Sequence, residues 1–310
     1  MASGSKKVIY AALIGNALIS ITKFVAASIT GSSAMVSEGI HSLVDTGNQM
    51  LLLLGLKKAQ KPASANFPFG HGKDVYFWSF IVAILIFALG SGISIYEGVQ
   101  HIIHPADLSD PTINYIVLIL AFIFEGFALF FAVKEFNKAR GKVRTLQAVA
   151  DGKDPTLFVV LFEDTAAMCG LIVAFVGILL AQLTDNAVWD GIASVVIGLI
   201  LGGTAIWLAR ETKGLLIGEA ANPKIVSSIT QYLTAHPSID NVNEVLTLHM
   251  GPEFILVTIS ADFVDTLSVR QMENDIHAIV TQIKTDNPLV KRVFIEAEDK
   301  DTMMPKPKTA

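Results

Sequence analysis

The sequence predicts a bundle of six transmembrane helices followed by a small soluble α/β domain. Hydrophobic residues make up 52% of the 310 residues and charged residues only 16%, whereas a soluble domain carries roughly 25% charged residues. The apolar residues are concentrated before Arg210, and beyond it they alternate with charges. We therefore expect a transmembrane domain at residues 1–212, an α/β domain at 213–299 and a disordered tail at 300–310.

Six apolar segments are long enough to cross a hydrocarbon core, which takes about 20 residues. Their predicted bounds are residues 8–30, 34–56, 76–100, 112–135, 157–183 and 187–209. The first segment follows Lys6 and Lys7, as a signal peptide would. However, it is longer than the roughly 7–15 apolar residues of a signal peptide and lacks a small-residue cleavage site. We therefore expect it to be a retained membrane helix.

The distribution of lysine and arginine predicts the orientation. The connections at residues 57–73 and 134–153 are rich in both residues, and both ends of the membrane domain are also basic. The intervening connections contain neither residue; they lie at 31–33, 101–111 and 184–187. Positive residues accumulate in cytoplasmic loops, so both termini are predicted to be cytoplasmic. With no organelle presequence evident, the inner (plasma) membrane is the expected location.

The last hundred residues have the pattern of a ferredoxin-like α/β domain. Asn222 followed by Pro223 is typical of a helix start. Strand-like alternation and β-branched residues mark the expected strands. The predicted order is helix 223–235, strands 242–248 and 254–263, helix 269–284 and strand 290–295.

Several classes of protein are excluded by the sequence. A net charge of -5 argues against nucleic acid as a partner, because binding phosphates needs a basic surface. The sequence has no phosphate-binding loop of the type found in ATP-driven pumps and no H-E-x-x-H motif of a metalloprotease. A single cysteine, Cys169, cannot form an internal disulfide. We therefore expect a transporter and not an enzyme, with the lipid bilayer as its surroundings.

The second predicted span carries polar residues in its middle. Glu38, His41, Asp45 and Asn48 fall on one face of a helix. Ionisable residues at membrane depth are costly and indicate function. His41 and Asp45, four residues apart, can present a nitrogen and a carboxylate oxygen to one ion; the alternative is that they only hydrogen-bond each other.

A second acidic pair, Glu163 and Asp164, lies in the fifth predicted span. Like charges this close cannot both stay ionised in a low dielectric without a cation. We expect a divalent ion bound by His41, Asp45 and Asp164, with Glu163 as the fourth ligand. Nitrogen and oxygen ligands in a four-coordinate site suit Zn²⁺, with Mn²⁺, Co²⁺ and Fe²⁺ as alternatives.

At these residues the sequence resembles the cation diffusion facilitators, a family of proton-coupled metal exporters with six spans and a ferredoxin-like cytoplasmic domain. The resemblance covers nearly the whole chain and is most specific at His41-x-x-x-Asp45. Further similar stretches are residues 67–74, Asp190, residues 215–220 and residues 154–167, the last similar to the branch containing zinc transporter 9. The family implies a homodimer. It usually has His or Asp four residues before Asp164, where this chain has Val160. Either Glu163 replaces that ligand, or the site has three protein ligands and a water.

The remaining polar residues allow more than one interpretation. Lys23 and Glu125 are isolated charges, for which pairing between helices or snorkelling are alternatives to a transport role. Glu97 and His101 lie near the outer end of the third span. His71 is expected to be structural or to assist ion access. The candidate metal ligands of the α/β domain are His236, His249, His277, Glu296 and Glu298, and we expect no metal site there.

The combined prediction is a secondary transporter that exports zinc from the cytoplasm, in exchange for protons, by alternating access. His41 is the expected coupling group because the ordinary pKa of histidine is about 6.5, and metal binding releases protons from its ligands. The alternative is a metal-sensing or accessory membrane protein with the same fold and little turnover, which Val160 favours.

Overall fold

The computed structural model describes residues 3–105, 110–140 and 155–300. The predicted tail beyond residue 300 and the basic residues at 141–154 lie outside the described residues. The chain divides into two compact units, one formed by the described residues within 1–60 and 74–213 and the other by those within 61–73 and 214–310.

The first unit is helical, as its apolar composition predicts. Its elements are α1 (Ser3–Thr30), α2 (Ser33–Ala59), α3 (Asp74–Leu85), α4 (Gly92–Ile103), α5 (Thr112–Arg140), α6 (Pro155–Thr184) and α7 (Val188–Ile217). A π-helical turn at Ile86–Ser91 joins α3 to α4, so the two form one continuous span. The described residues of the first unit therefore contain six long helical segments.

Five of these helical segments are long and apolar enough to cross a membrane within the described residues. They are Leu13–Thr30, Asp74–Ile103, Thr112–Lys134, Phe158–Thr184 and Val188–Ile217. The exception, α2, is 27 residues long but carries the predicted polar stripe. It packs against α1, α3, α4 and α6, so the other spans shield its polar face from lipid.

Glycines bring α4 and α7 unusually close. A Cβ added to Gly98 would lie 2.7 Å from the carbonyl oxygen of Gly191 and 2.7 Å from the amide nitrogen of Val195. Ser194 Oγ donates to the carbonyl oxygen of Ser94 at 2.9 Å. Small residues permit such close packing of membrane helices, and here they fix α7 against the end of the third span.

The second unit contains a ferredoxin-like arrangement. Its elements are α8 (Pro223–Thr234), β1 (Ile239–Gly251), β2 (Phe254–Phe263), α9 (Val269–Asp286) and β3 (Val290–Ala297). The sheet order is β1-β2-β3, with β1 antiparallel and β3 parallel to β2. Ile229 of α8, Val257 of β2 and Ile279 of α9 are buried together in its core.

Several element bounds differ from the predictions for physical reasons. β1 starts at Ile239 instead of residue 242, because register shifts on either side of Asn241 and Val242 accommodate a polar start. α7 continues from the predicted end at residue 209 to Ile217. The predicted bound is the end of the apolar segment. The helix continues beyond it because Arg210, Glu211 and Lys213 have high helix propensity.

The connection between α2 and α3 belongs to the second unit. Gly72 lies against the backbone of Met250, where a Cβ would overlap the carbonyl oxygen. Gly70 has φ +81°, a left-handed conformation that favours glycine. The ring of His71 lies 4.4 Å from that of Phe67, so these residues form a compact turn.

Candidate metal site

The polar stripe of α2 is buried as the sequence predicts. Glu38, His41, Asp45 and Asn48 are each at most 9% exposed. Neighbouring helices create this burial, because α2 lies among α1, α3, α4 and α6. Buried polar groups are normally hydrogen-bonded, so atoms of the stripe that lack a partner indicate where a ligand binds.

His41 and Asp45 retain unused ligand atoms. His41 Nε2 lies 3.4 Å from Asp45 Oδ2 but without the geometry of a hydrogen bond. Within the described residues, neither His41 Nε2 nor Asp45 Oδ1 has a hydrogen-bond partner. One turn of α2 therefore presents an imidazole nitrogen and a carboxylate oxygen that can bind an ion together.

The acidic pair of α6 faces α2 through one direct contact. Asn48 Nδ2 donates a 2.6 Å hydrogen bond to Glu163 Oε1, and Glu163 is buried whereas Asp164 is half-buried. Both α6 carboxylates are close enough to interact electrostatically with Asp45. The sequence placed Asn48 on the stripe but did not identify it as the partner of Glu163.

The predicted ligands are not gathered around one point in this conformation. Within residues 3–105, 110–140 and 155–300, no group of three or more His, Cys, Asp or Glu side chains is close enough to hold a metal ion. The structure brings together His41 with Asp45, and Asn48 with Glu163. Closing the two pairs around one ion therefore needs movement of side chains or of α2 against α6.

A charge cluster lies on the same helix face, formed by residues that the sequence shows only as separate charges. Lys23 Nζ forms ion pairs with Glu38 Oε2 at 2.8 Å and Glu125 Oε1 at 2.9 Å. For Lys23 and Glu125, the sequence allowed pairing between helices or snorkelling as alternatives to a transport role. The structure shows pairing between helices. Lysine and glutamate 102 residues apart leave no signal in the sequence that links them.

Asp190 caps the N-terminal end of α2. Its carboxylate accepts hydrogen bonds from the Ser32 hydroxyl at 2.6 Å and the Ser33 amide at 2.5 Å. His101 Nε2 lies 3.7 Å from Asp190 Oδ2, so this histidine faces the cap. These contacts hold α2, which carries His41, against α7.

Three of the candidate ligands in the α/β domain have described surroundings. His249 is buried at 3% exposure. Glu298 Oε2 accepts a 2.7 Å hydrogen bond from Ser260 Oγ. The ring of His236 lies 6.0 Å from that of Tyr232.

Comparison with known proteins identifies the class of this helical domain. Residues 9–217 match the family described as the cation efflux transmembrane domain. This match covers more than half of the chain. The chain belongs to the cation efflux family. The predicted resemblance to the cation diffusion facilitators is thereby confirmed, and the chain is a multi-pass membrane protein of a transporter family.

Relatives of this chain are named for different metals. The mouse (Mus musculus) "Proton-coupled zinc antiporter SLC30A9, mitochondrial" is 31% identical over 303 residues, covering 97% of this chain and 50% of that protein. Metal tolerance protein C4 of Arabidopsis thaliana is 30% identical, covering 84% of this chain and 57% of that protein. The manganese efflux system protein MneP of Bacillus subtilis is 20% identical, covering 95% and 94%. The chain thus spans about half the length of the SLC30A9 proteins.

Proposed function

We propose that this chain is a secondary transporter that exports Zn²⁺ from the cytoplasm in exchange for protons. The proposed ligands are His41 and Asp45 of α2 with Glu163 and Asp164 of α6. The observation that carries the proposal is the pair of buried atoms without a partner, His41 Nε2 and Asp45 Oδ1. They lie on a helix that faces two further carboxylates.

The charges around Asp45 support a cation as the substrate. Glu163, Asp164 and Glu125 all interact with Asp45 repulsively, and Lys23 supplies one opposing positive charge. Buried carboxylates in such surplus must carry protons or bind a cation. The same residues can therefore accept either species, and exchange of metal for protons follows from their chemistry.

The ligand types favour zinc over harder cations. An imidazole nitrogen with carboxylate oxygens is a common zinc ligand set, whereas Mn²⁺ prefers carboxylate and carbonyl oxygens. The zinc antiporter SLC30A9 and the manganese protein MneP are both relatives, so both metals belong in the assay. Co²⁺ and Fe²⁺ are the further alternatives.

Binding through Glu163 requires a local rearrangement. Glu163 Oε1 accepts the hydrogen bond from Asn48 Nδ2 at 2.6 Å, so this oxygen must leave Asn48 or the ion must be bound through the other one. Movement of α6 against α2 would change this contact together with the distance from Asp164 to Asp45. We propose that this movement is part of alternating access.

The assembly and orientation are part of the same proposal. The chain is a homodimer in the inner membrane of the cell, with both termini in the cytoplasm and residues 213–299 as a cytoplasmic domain. The basic connections at 57–73 and 134–153 support this orientation. Light scattering of the purified protein in detergent tests the dimer, and membrane fractionation tests the location.

A sensor or accessory protein with little turnover is the second candidate. Val160 lies one helical turn before Asp164 and supplies no ligand atom. This absence of a ligand favours a sensor or accessory protein. It predicts tight metal binding without net flux. Transport by the purified protein distinguishes the two candidates.

The test is zinc uptake into proteoliposomes under an imposed pH gradient, with a trapped pH-sensitive dye to follow protons. Asp45→Asn and Asp164→Asn remove a charge but keep the side-chain shape, and uptake should fall at least tenfold in each. Asp185→Asn is the matched control because Asp185 is exposed at the end of α6. Equal uptake by the Asp45→Asn variant and the control would show that the ion takes another route.

The same vesicles separate coupling from transport. Zinc flux that proceeds equally with and without a pH gradient, and without a change in dye signal, would refute exchange for protons while leaving transport intact. Binding of zinc by the wild type without any uptake would favour the sensor. Parallel runs with Mn²⁺, Co²⁺ and Fe²⁺ rank the substrates.

A further inference from the structure

A second cluster of buried charges lies beside the proposed transport site, and none of its residues is a proposed transport ligand. Lys23 of α1 is completely buried. Its ammonium donates hydrogen bonds to Glu38 Oε2 at 2.8 Å, Ser42 Oγ at 2.9 Å and Glu125 Oε1 at 2.9 Å. An ammonium group has three N–H donors, so the hydrogen bonding of Lys23 is complete.

The acceptors around Lys23 are in surplus. Glu38 and Glu125 bring two carboxylates to one ammonium. Glu38 Oε1 and Glu125 Oε2 are buried and accept no hydrogen bond from the described residues, although more than nine in ten buried polar groups normally have a partner. The cluster therefore has more negative charge and more oxygen ligands than one lysine satisfies.

These acceptors have the chemistry of a cation site. Two carboxylates and one hydroxyl provide five oxygens without nitrogen or sulfur, a set that suits the oxygen-preferring cations Mg²⁺, Ca²⁺ and Mn²⁺. The ammonium lies within 2.9 Å of an oxygen of each of the three residues. It occupies the position that such a cation would take.

We propose that Glu38, Ser42 and Glu125 form a second cation site and that the Lys23 ammonium is its tethered occupant. Ser42 directly follows His41, so the cluster lies within about one turn, roughly 5 Å, of the transport ligands along α2. By filling the site permanently, Lys23 prevents a second mobile divalent ion from binding there. The membrane domain of each chain then carries one exchangeable ion.

The surrounding packing fits a site of fixed size. Gly170 of α6 lies directly against Glu38, and a Cβ at this position would overlap Glu38 Oε1. The carboxylate is therefore confined between α1, α2 and α6. Removal of the ammonium would therefore leave a preformed, negatively charged cavity, and the carboxylates would not collapse into it.

The test is to remove the tethered charge and count bound ions. Lys23→Met replaces the ammonium with an apolar side chain of similar length. Bound Mn²⁺ is measured in the purified full-length protein from the loss of the free Mn²⁺ signal in electron paramagnetic resonance. We expect Lys23→Met to bind one more Mn²⁺ per chain than the wild type, and Lys23→Met/Glu38→Gln to lose that additional ion. Lys58→Met, which removes a lysine that lies over the Trp78 ring, should leave the number unchanged.

The inference rests on the proposed function in one respect: it assumes that His41 and Asp45 belong to the first ion site. Repeating the count in an Asp45→Asn background separates the two ideas. If Asp45→Asn binds as much Zn²⁺ as the wild type in a competition titration with a chelating dye, the proposed transport site is wrong. If Lys23→Met binds no more than its parent in either background, the tethered-cation inference is wrong.

The second cation site can still be tested if Lys23→Met misfolds. The variant should then be recovered by purification in Mn²⁺, which replaces the missing charge. The control is Lys23→Met/Glu38→Gln/Glu125→Gln, in which the cluster is neutral and needs no cation. A control that folds, beside a Lys23→Met variant that Mn²⁺ does not rescue, would show that the cluster accepts no mobile cation and would overturn the proposal.

Discussion

Removal of the Asp190 carboxylate should loosen the helix that carries the proposed ligands. Asp190 lies at the start of α7 with no exposed surface. Its carboxylate accepts hydrogen bonds from Ser32 Oγ at 2.6 Å and from the amides of Ser33 at 2.5 Å and Ala34 at 3.3 Å. The first amides of a helix have no partner within the helix, so α7 completes the N-terminus of α2.

The expected loss follows from those contacts. A hydrogen bond to a charged group contributes about 1.5–3 kcal/mol, so the two shortest contacts together give about 3–6 kcal/mol. That is a large fraction of an ordinary free energy of unfolding of roughly 5–15 kcal/mol. Asp190→Ala should lower the free energy of unfolding by this full amount, because it leaves both the Ser32 hydroxyl and the buried Ser33 amide without their acceptor. Asp190→Asn keeps one acceptor oxygen and should lose about half as much.

Thermal unfolding of the purified protein in detergent measures the effect. Midpoints of Asp190→Ala and Asp190→Asn are compared with that of Asp185→Asn, which removes a carboxylate just before α7 that is exposed. We expect the order Asp185→Asn, then Asp190→Asn, then Asp190→Ala, from most to least stable. If Asp190→Ala unfolded at the control's midpoint, the carboxylate would not be the cap that holds α2.

Three further outcomes follow from the geometry. Gly98→Ala should destabilise the protein by about 1–3 kcal/mol through overpacking, since its Cβ would lie 2.7 Å from backbone atoms; Gly203→Ala, with open space on α7, should be neutral or stabilising in the same melts. Glu163→Gln keeps an acceptor for Asn48 but removes a charge, so zinc affinity measured by competition with a chelating dye should weaken at least tenfold, and unchanged affinity would exclude Glu163 as a ligand. Single cysteines placed at residues 61 and 104 of a variant without Cys169 should label from opposite sides of sealed vesicles with a membrane-impermeant maleimide, and labelling from the same side would refute the predicted orientation.

The elements of the fold were largely predictable because each leaves a local signal. Apolar length placed the spans, and strand alternation placed β2 at Phe254–Phe263, the bounds that were expected. Local signals failed where the structure departs from a regular repeat. The π-helical turn at Ile86–Ser91 lies in a run that is apolar up to Gly90 and Ser91, and no feature of that run specifies a π-helical turn.

The candidate site was only half predictable, because its pairs on different helices are far apart in sequence. His41 and Asp45 share one helix face, so their spacing reveals them. Lys23 and Glu125 lie 102 residues apart, and each is a single charge in an apolar run. Only the packing of α1 against α2 and α5 shows that they neutralise each other around Glu38.

The distribution of partners along α2 distinguishes a functional stripe from a structural one. Glu38 is bound to Lys23, and Asn48 donates to Glu163, so both ends of the stripe are tied to neighbouring helices. Between them, His41 Nε2 and Asp45 Oδ1 remain without a hydrogen bond within the described residues. Glu38 Oε1 and Asn48 Oδ1 also lack a partner, but another atom of each residue is bonded to a neighbouring helix. A purely structural stripe would be expected to tie its centre to a neighbouring helix in the same way, since an unsatisfied buried polar group costs about 1–3 kcal/mol. The two unsatisfied atoms are an imidazole nitrogen and a carboxylate oxygen on one turn of α2. A divalent transition metal can bind both of them.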